Sequence, residues 1–175
     1  MQRPEIGLEQ VARLEACEGK ELTLAAITAP LPSASTDEVA CVLATMDPWR
    51  RYGFAPQRLA SFLAPGPAGQ PRYLLIDDDA IAGLVALKLG WMFGTYLNLL
   101  AVLPGHQGRG LGSAVLVWLE AFGKQRSERN QFVVTSAFNT RGLALYQRHG
   151  FAEIARMPGL IDDNETEILL RKRLT

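Results

Sequence analysis

Residues 103–122 read LPGHQGRGLGSAVLVWLEAF and carry the strongest local signal in the chain. Four glycines fall within eight residues, at Gly105, Gly108, Gly110 and Gly112, and an apolar segment with helical spacing follows directly. The first turn of a helix offers unpaired N–H groups and about half a positive charge. Glycines let that backbone approach phosphate oxygens without an intervening Cβ atom. The stretch therefore predicts a phosphate-binding loop that leads into a helix.

The spacing of the glycines separates the known kinds of phosphate loop. A nucleotide P-loop ends in Gly-Lys-Ser/Thr, whereas residues 110–113 read Gly-Leu-Gly-Ser and contain no lysine. A dinucleotide fingerprint needs glycine or alanine where Ser113 stands, and an acidic residue at the end of the next strand, which reads Ala137–Phe138. Both patterns are excluded. Residues 107–112 instead form the pattern Gln-x-x-Gly-x-Gly.

This third pattern resembles the acetyl-CoA pyrophosphate loop of the GNAT superfamily of N-acetyltransferases. Residues 97–116, LNLLAVLPGHQGRGLGSAVL, resemble that family's strand four, loop and helix three. Residues 139–151, NTRGLALYQRHGF, resemble its second signature, an asparagine followed by a helix that carries a tyrosine and ends at Gly-Phe. The resemblance extends over residues 20–174, and its two motifs are separate in sequence.

Hydrophobic periodicity and turn residues outline the remaining elements. We predict helices over residues 5–18, 35–46, 56–64, 113–126 and 140–150, and strands over 21–28, 72–76, 81–90, 95–102, 131–138, 151–157 and 165–174. The first helix depends on the spacing of Ile6, Val11, Leu14 and Cys17. Residues 1–19 are accordingly predicted to be a helical N-terminal extension to an acetyltransferase domain over residues 20–175.

The element order and the resemblance together imply an α/β (α+β) fold. Its central sheet is expected to be GNAT-like, mixed and mostly antiparallel, with about six or seven strands and helices on both faces. The resemblance also implies a splay between the family's strands four and five, here residues 95–102 and 131–138.

Composition favours an ordinary cytoplasmic protein. Lysine and arginine together number 18, as do aspartate and glutamate, so charge gives no reason to expect a nucleic-acid partner. The start, MQRPEIGLEQ, lacks the apolar core of a signal peptide, and no apolar run approaches the ~20 residues that span a bilayer. Two cysteines are too few for a disulfide framework or a thiolate metal site. We therefore expect no membrane, nucleic-acid or metal partner, and leave a homodimer open.

The resemblance implies a binding site for acetyl-CoA as co-substrate. A bulge in strand four would leave unpaired backbone groups in the splay, where pantetheine amides pair much as an added strand would. Those groups belong to Leu100, Ala101 and Val102, and Asn139 matches the residue that holds the pantetheine arm. The pyrophosphate would bind the backbone of Gln107, Gly108, Arg109, Gly110, Leu111 and Gly112, with Ser113 adding a hydroxyl.

Tyr146 matches the family tyrosine near the cofactor sulfur. The amine attacks the thioester directly in this family, so the departing thiolate benefits from a proton donor. A phenol has an ordinary pKa of about 10 and a thiol one of about 8.5, which makes Tyr146 a suitable general acid. A helix tyrosine that only packs against the sheet is the alternative.

The acceptor side lacks the expected general base. Many relatives place a glutamate on strand four or five, whereas here strand four offers Asn98 and strand five has no carboxylate. A water chain, a carboxylate from another segment or an acceptor of low pKa could replace it. In residues 46–54, Asp47 could attract or deprotonate an amine, Trp49 could form a wall and Arg50 or Arg51 could bind an acidic group. A solvated turn with a capping aspartate and a core tryptophan is equally compatible.

Two further features have a single interpretation, and a third stays open. Residues 77–79, all aspartates, are interpreted as a hairpin turn, and His106 as an ordinary loop residue. Residues 91–94, WMFG, fit a core segment, an acceptor pocket or a dimer contact.

The predicted function is transfer of an acetyl group to a small-molecule or peptide amine. A non-catalytic acyl-CoA sensor and a transferase that uses a longer acyl-CoA are the alternatives.

Overall fold

A computed structural model describes residues 7–175, except for the side chain of Glu18. Its strands are β1 Leu8–Glu15, β2 Glu21–Ile27, β3 Arg72–Asp77, β4 Ala80–Trp91, β5 Gly94–Val102, β6 Asn130–Ser136, β7 Ala152–Pro158 and β8 Thr166–Arg173. Its helices are α1 Ser33–Ala44, α2 Pro56–Ala60, α3 Leu111–Gln125 and α4 Thr140–Arg148, with short 3₁₀ turns at Cys17–Gly19 and Ser61–Leu63. None of these helices is long and apolar enough to cross a membrane.

All the described strands belong to one sheet, in the order β1-β2-β3-β4-β5-β6-β8-β7. Every neighbouring pair is antiparallel except β5 and β6, which are parallel because α3 carries the chain back between them. The predicted mixed, mostly antiparallel sheet is confirmed, with eight strands rather than six or seven.

The additional strand is β1, so the predicted helix at 5–18 is wrong over the residues that the structure describes; residues 5 and 6 lie outside them. β1 pairs with β2 along its whole length. Its register shifts between Gln10 and Ala12, which makes Val11 a bulged residue. The bulge interrupts the alternation expected of a strand and leaves Val11 and Leu14 at a spacing that resembles a helix.

Helices cover both faces of the sheet, as predicted. One hydrophobic cluster joins the sheet to α3 and α4, through Leu116, Leu119 and Tyr146 among others. A second cluster joins the other face to α1 and α2, through Leu43 and Leu59. Because both faces are covered, the middle of β4, residues 82–87, is buried without interruption.

The sheet opens between β5 and β6. Their pairing is confined to Gly94–Leu97 with Asn130–Val133, although β5 continues to Val102. Against β4, Ala86 pairs with Leu99 and Leu87 with Leu97, so Asn98 is a bulged residue. The predicted splay is therefore present, with the bulge at its start. The first turns of α3 and α4 lie where it opens.

The turn between β4 and β5 projects into solvent. Phe93 is 86% exposed and Met92 57%, both with positive φ. This exposure excludes the core interpretation for Met92 and Phe93. Trp91, in contrast, packs against Tyr96 and Phe132, and Gly94 is buried. The acceptor-pocket and dimer-contact interpretations stay predictions.

Candidate active site

The splay continues into a cleft of about 1010 Å³. The cleft reaches from the glycine loop to the segment around residues 46–62. Most of the residues singled out in the sequence line it: Asp47, Trp49, Asn98, Leu100, Ala101, Val102, Gln107, Gly108, Gly110, Leu111, Gly112, Ser113, Asn139 and Tyr146. Arg50 and Arg109 are not among the lining residues.

The glycine loop leaves the start of α3 open. Gly110 precedes α3 with φ of +83°, and no side chain caps the helix. Gly108, within the loop, has φ of +78°, and a Cβ atom on it would meet nothing within 4 Å. A Cβ on Gly110 would instead collide with the Cys17 side chain and lie 2.9 Å from its backbone nitrogen. The open helix start can bind an anion, and Gly108 faces the open space beside it.

The end of β5 presents alternate backbone groups to the cleft. Leu103 N donates to Ala82 O of β4 at 2.8 Å. Because backbone groups alternate in direction along a strand, the N–H and C=O groups of Leu103 and Ala101 point toward β4. The backbone N–H and C=O groups of Leu100 and Val102 consequently point toward the splay. The Val102 carbonyl accepts a hydrogen bond from Gln107 Nε2 at 2.9 Å, which ties the loop to the strand. The backbone of Leu100 is therefore the best placed of the three to receive a ligand.

Asn139 caps α4 at the edge of the cleft. Its Oδ1 accepts from Gly142 N at 3.0 Å, and its Nδ2 donates to Thr135 Oγ1 at 3.0 Å. These bonds satisfy the first turn of α4 and fix the side chain between α4 and β6.

Tyr146 packs in the core and also lines the cleft. Only 7% of it is exposed, and its ring lies edge-on to Phe151 at 5.9 Å. Burial, with a smaller contribution from Tyr96, raises the pKa of Tyr146 far above its ordinary value. The phenol therefore keeps its proton at neutral pH and can donate it to a group in the cleft.

Asp47 and Arg50 bind each other at the rim. Arg50 Nε and one terminal nitrogen donate to the two carboxylate oxygens of Asp47, each at 3.1 Å. Both side chains are substantially exposed. This ion pair engages both groups that the sequence singled out. The Asp47 carboxylate is the predicted acceptor-side base, and the Arg50 guanidinium is predicted to bind an acidic group. Trp49 packs against the cluster under α1 and α2, so it combines the wall and core interpretations.

Comparison with known protein families now identifies the family of this chain. The family model described as Acetyltransferase (GNAT) family matches residues 39–151, more than half of the chain, including the loop and Tyr146. The chain belongs to the GNAT acetyltransferase family. No curated protein matches it by sequence.

Many solved structures share this GNAT fold. A GNAT family acetyltransferase from Elizabethkingia anophelis with acetyl-CoA bound is 22% identical, covers 87% of this chain and 98% of its own, and has a TM-score of 0.66. IAA acetyltransferase from Bacillus cereus is 18% identical over 87% of this chain and 99% of its own, with a TM-score of 0.63. Nourseothricin acetyltransferase is 22% identical over 65% of this chain and 70% of its own, with a TM-score of 0.57. At these identities the likeness shows the fold.

The GNAT cleft of this chain contains a buried carboxylate that the sequence did not reveal. Glu167 of β8 is 3% exposed and lines the cleft, in register with Ser136 of β6. The Tyr52 hydroxyl contacts both, at 3.0 Å from Ser136 Oγ and in a short hydrogen bond to Glu167 Oε1. Since Tyr52 and Glu167 are 115 residues apart, only the strand order brings them together.

A second buried carboxylate contacts side chains of the glycine loop. Asp77, the last residue of β3, is 2% exposed and lies 2.6 Å from Lys20 Nζ, 2.9 Å from His106 Nδ1 and 3.6 Å from Arg109. Hydrogen bonding to Lys20, and then to His106, lowers the pKa of Asp77. Asp78 and Asp79 form the predicted turn with positive φ, but Asp77 instead joins the sheet to the loop.

Asp77→Asn should therefore weaken acetyl-CoA binding by about tenfold, because Lys20, His106 and Arg109 lose the charge that positions them. Calorimetric titration measures the dissociation constant. The matched control is Asp78→Asn, which removes the neighbouring exposed charge and should change affinity by less than about twofold. Equal effects of the two substitutions would show that net charge, rather than the buried carboxylate, matters.

Proposed function

We propose that this protein transfers an acetyl group from acetyl-CoA to a primary amine. The observation that carries the proposal is the continuity of the β5–β6 splay with the uncapped start of α3. The splay offers strand-like hydrogen bonds to an extended amide chain, and the helix start offers N–H groups to a diphosphate. One elongated molecule with both parts can occupy them together.

In this proposal the pyrophosphate binds the backbone of residues 107–112 and the Ser113 hydroxyl. The pantetheine amides pair with Leu100 and lie beside Asn139. Arg109 acts through its backbone alone, because its side chain turns toward Asp77. The thioester end then lies near Tyr146, deeper in the cleft.

Acetyl-CoA supplies a thioester whose carbonyl carbon an amine can attack. Tyr146 is proposed to act as general acid toward the departing sulfur. Its burial supports this role, because a neutral phenol in a site of low polarity is a strong hydrogen-bond donor to a developing negative charge.

The acceptor is proposed to carry an apolar or aromatic group beside its amine. The acceptor half of the cleft is lined by Trp49, Phe54, Phe62 and Phe138. Flat rings of this kind bind apolar and aromatic bodies. Both a small molecule and a peptide fit this description.

Calorimetric titration with acetyl-CoA, followed by measurement of CoA release with an amine panel, tests the proposal. We expect micromolar affinity for acetyl-CoA, weaker binding of dephospho-CoA, no binding of NAD, and faster thiol release with at least one amine. Absence of acetyl-CoA binding would overturn the proposal. Binding with no amine-dependent release would favour a non-catalytic acyl-CoA sensor.

A further inference from the structure

We propose that Glu167 is the catalytic base of this enzyme and that Tyr52 is its positioning residue. The proposal rests on the proposed acetyl transfer and assigns the acceptor as an amine that arrives as an ammonium ion. Glu167 lies on β8, the last strand along the chain, which pairs with β6; β5 and β6 themselves carry no carboxylate.

The position of Glu167 suits a group that meets the acceptor. Its carboxylate is almost fully buried, yet it forms part of the cleft lining. It takes part in none of the ion pairs formed among residues 7–175. A buried carboxylate without a cationic partner is unfavourable unless hydrogen bonds or a ligand compensate it. An ammonium group in the cleft would supply the missing charge.

Tyr52 holds this carboxylate in place. Burial, followed by the hydrogen bond to Glu167, raises the pKa of Tyr52 to about 12, so the phenol keeps its proton at neutral pH. It donates that proton to Glu167 Oε1 and accepts from the Ser136 hydroxyl. The second carboxylate oxygen stays available to a substrate.

The segment that carries Tyr52 is fixed to the same end of the sheet. The centroids of the Tyr52 and Phe138 rings lie 5.6 Å apart. The guanidinium carbon of Arg51 lies 4.2 Å from the centroid of the same Phe138 ring. Arg51 also forms an ion pair with Glu165. These contacts hold the hydroxyl over β6 and β8 without using Glu167 itself.

Glu167 and the proposed acid, Tyr146, each interact electrostatically with Tyr96. The charge of Glu167 contributes to raising the pKa of Tyr96, and Tyr96 in turn contributes to raising that of Tyr146. The titratable and charged residues that line the cleft together with Glu167 are Tyr52, Tyr96, Tyr146, Cys17, Asp47, Arg58, His106, Arg141 and Arg148. Base and acid therefore line the same cleft.

The proton balance follows from these positions. Glu167 takes one proton from the ammonium nitrogen, which gains a lone pair and forms the C–N bond as the C–S bond breaks. Tyr146 gives its proton to the departing sulfur and regains one from the nitrogen as the amide forms. Glu167 then releases its proton to solvent, so one proton leaves for each acetyl group transferred.

Glu167→Gln tests the assignment, because glutamine can still accept from Tyr52 but cannot take a proton. The probes are phenethylamine, an ammonium ion at pH 7, and aniline, which is neutral there. We expect kcat/KM to fall at least about tenfold more for phenethylamine than for aniline, with acetyl-CoA affinity unchanged. Tyr52→Phe should change the ratio of the two rates in the same direction by a smaller factor.

Glu153→Gln is the matched control, since it removes an equal charge from the neighbouring strand β7, from a carboxylate paired with Arg156 and outside the cleft lining. It should leave the ratio unchanged. Equal loss with both probes in Glu167→Gln, or no loss, would overturn the assignment while leaving acetyl transfer intact. Acetyl-CoA binding without turnover of any amine by the unmodified protein would instead overturn the proposed function, and this inference with it.

Discussion

Tyr146→Phe is expected to lower kcat by about 10³-fold while changing the dissociation constant of acetyl-CoA by less than about twofold. The substitution removes only the hydroxyl that would protonate the departing sulfur. The aromatic ring, its edge-on contact with Phe151 and its place in the core stay the same. Steady-state rates of CoA release, together with calorimetric titration, measure the two quantities.

Tyr73→Phe provides the matched control. Tyr73 is 5% exposed, belongs to the same core cluster and packs against Trp118 at 5.3 Å, but it is not among the cleft-lining residues. Its pKa is also raised by burial. Loss of its hydroxyl should leave kcat almost unchanged. A large loss of acetyl-CoA affinity with intact kcat in Tyr146→Phe would contradict the role of proton donor.

The features that sequence predicted best depend on local backbone requirements. The loop before α3 needs residues that tolerate positive φ, and such a requirement leaves glycines at fixed spacing. Asn139 marks the start of α4 because a capping side chain must stand immediately before its helix. Long periodic segments likewise predicted most strands and helices within a few residues.

The features that it missed depend on contacts between distant segments. β1 was obscured by its bulge at Val11, which only the pairing with β2 defines. Glu167 looks like an ordinary residue of a terminal strand until β8 lies beside β6. Asp77 was grouped with the turn that follows it, although burial against Lys20 and His106 gives it a different environment.

Asp47 stays a predicted acceptor-side residue, although its environment differs from the one that local chemistry suggested. An aspartate near an aromatic residue in the acceptor segment is a reasonable candidate base. The structure gives its carboxylate to Arg50 on the exposed rim. The same segment nevertheless contributes to the cleft through Tyr52, whose hydroxyl meets the buried carboxylate.

Gly108→Ala is expected to weaken acetyl-CoA binding by about 100-fold. The new methyl group would enter the open space beside the start of α3, where a phosphate oxygen must approach the backbone. Alanine at positive φ also costs about 1–2 kcal/mol of folding stability, so the loss of affinity has to be separated from strain in the loop.

Gly105→Ala separates these two effects. Gly105 has nearly the same φ as Gly108, +85° against +78°, and a Cβ on either residue meets nothing within 4 Å. Only Gly108 is among the cleft-lining residues. Both variants should therefore lose similar thermal stability, while only Gly108→Ala loses affinity in calorimetric titration. If Gly105→Ala weakened binding equally, loop strain would account for the effect and the phosphates would have to lie elsewhere. Gly110 cannot serve this comparison, because a side chain there would first displace Cys17.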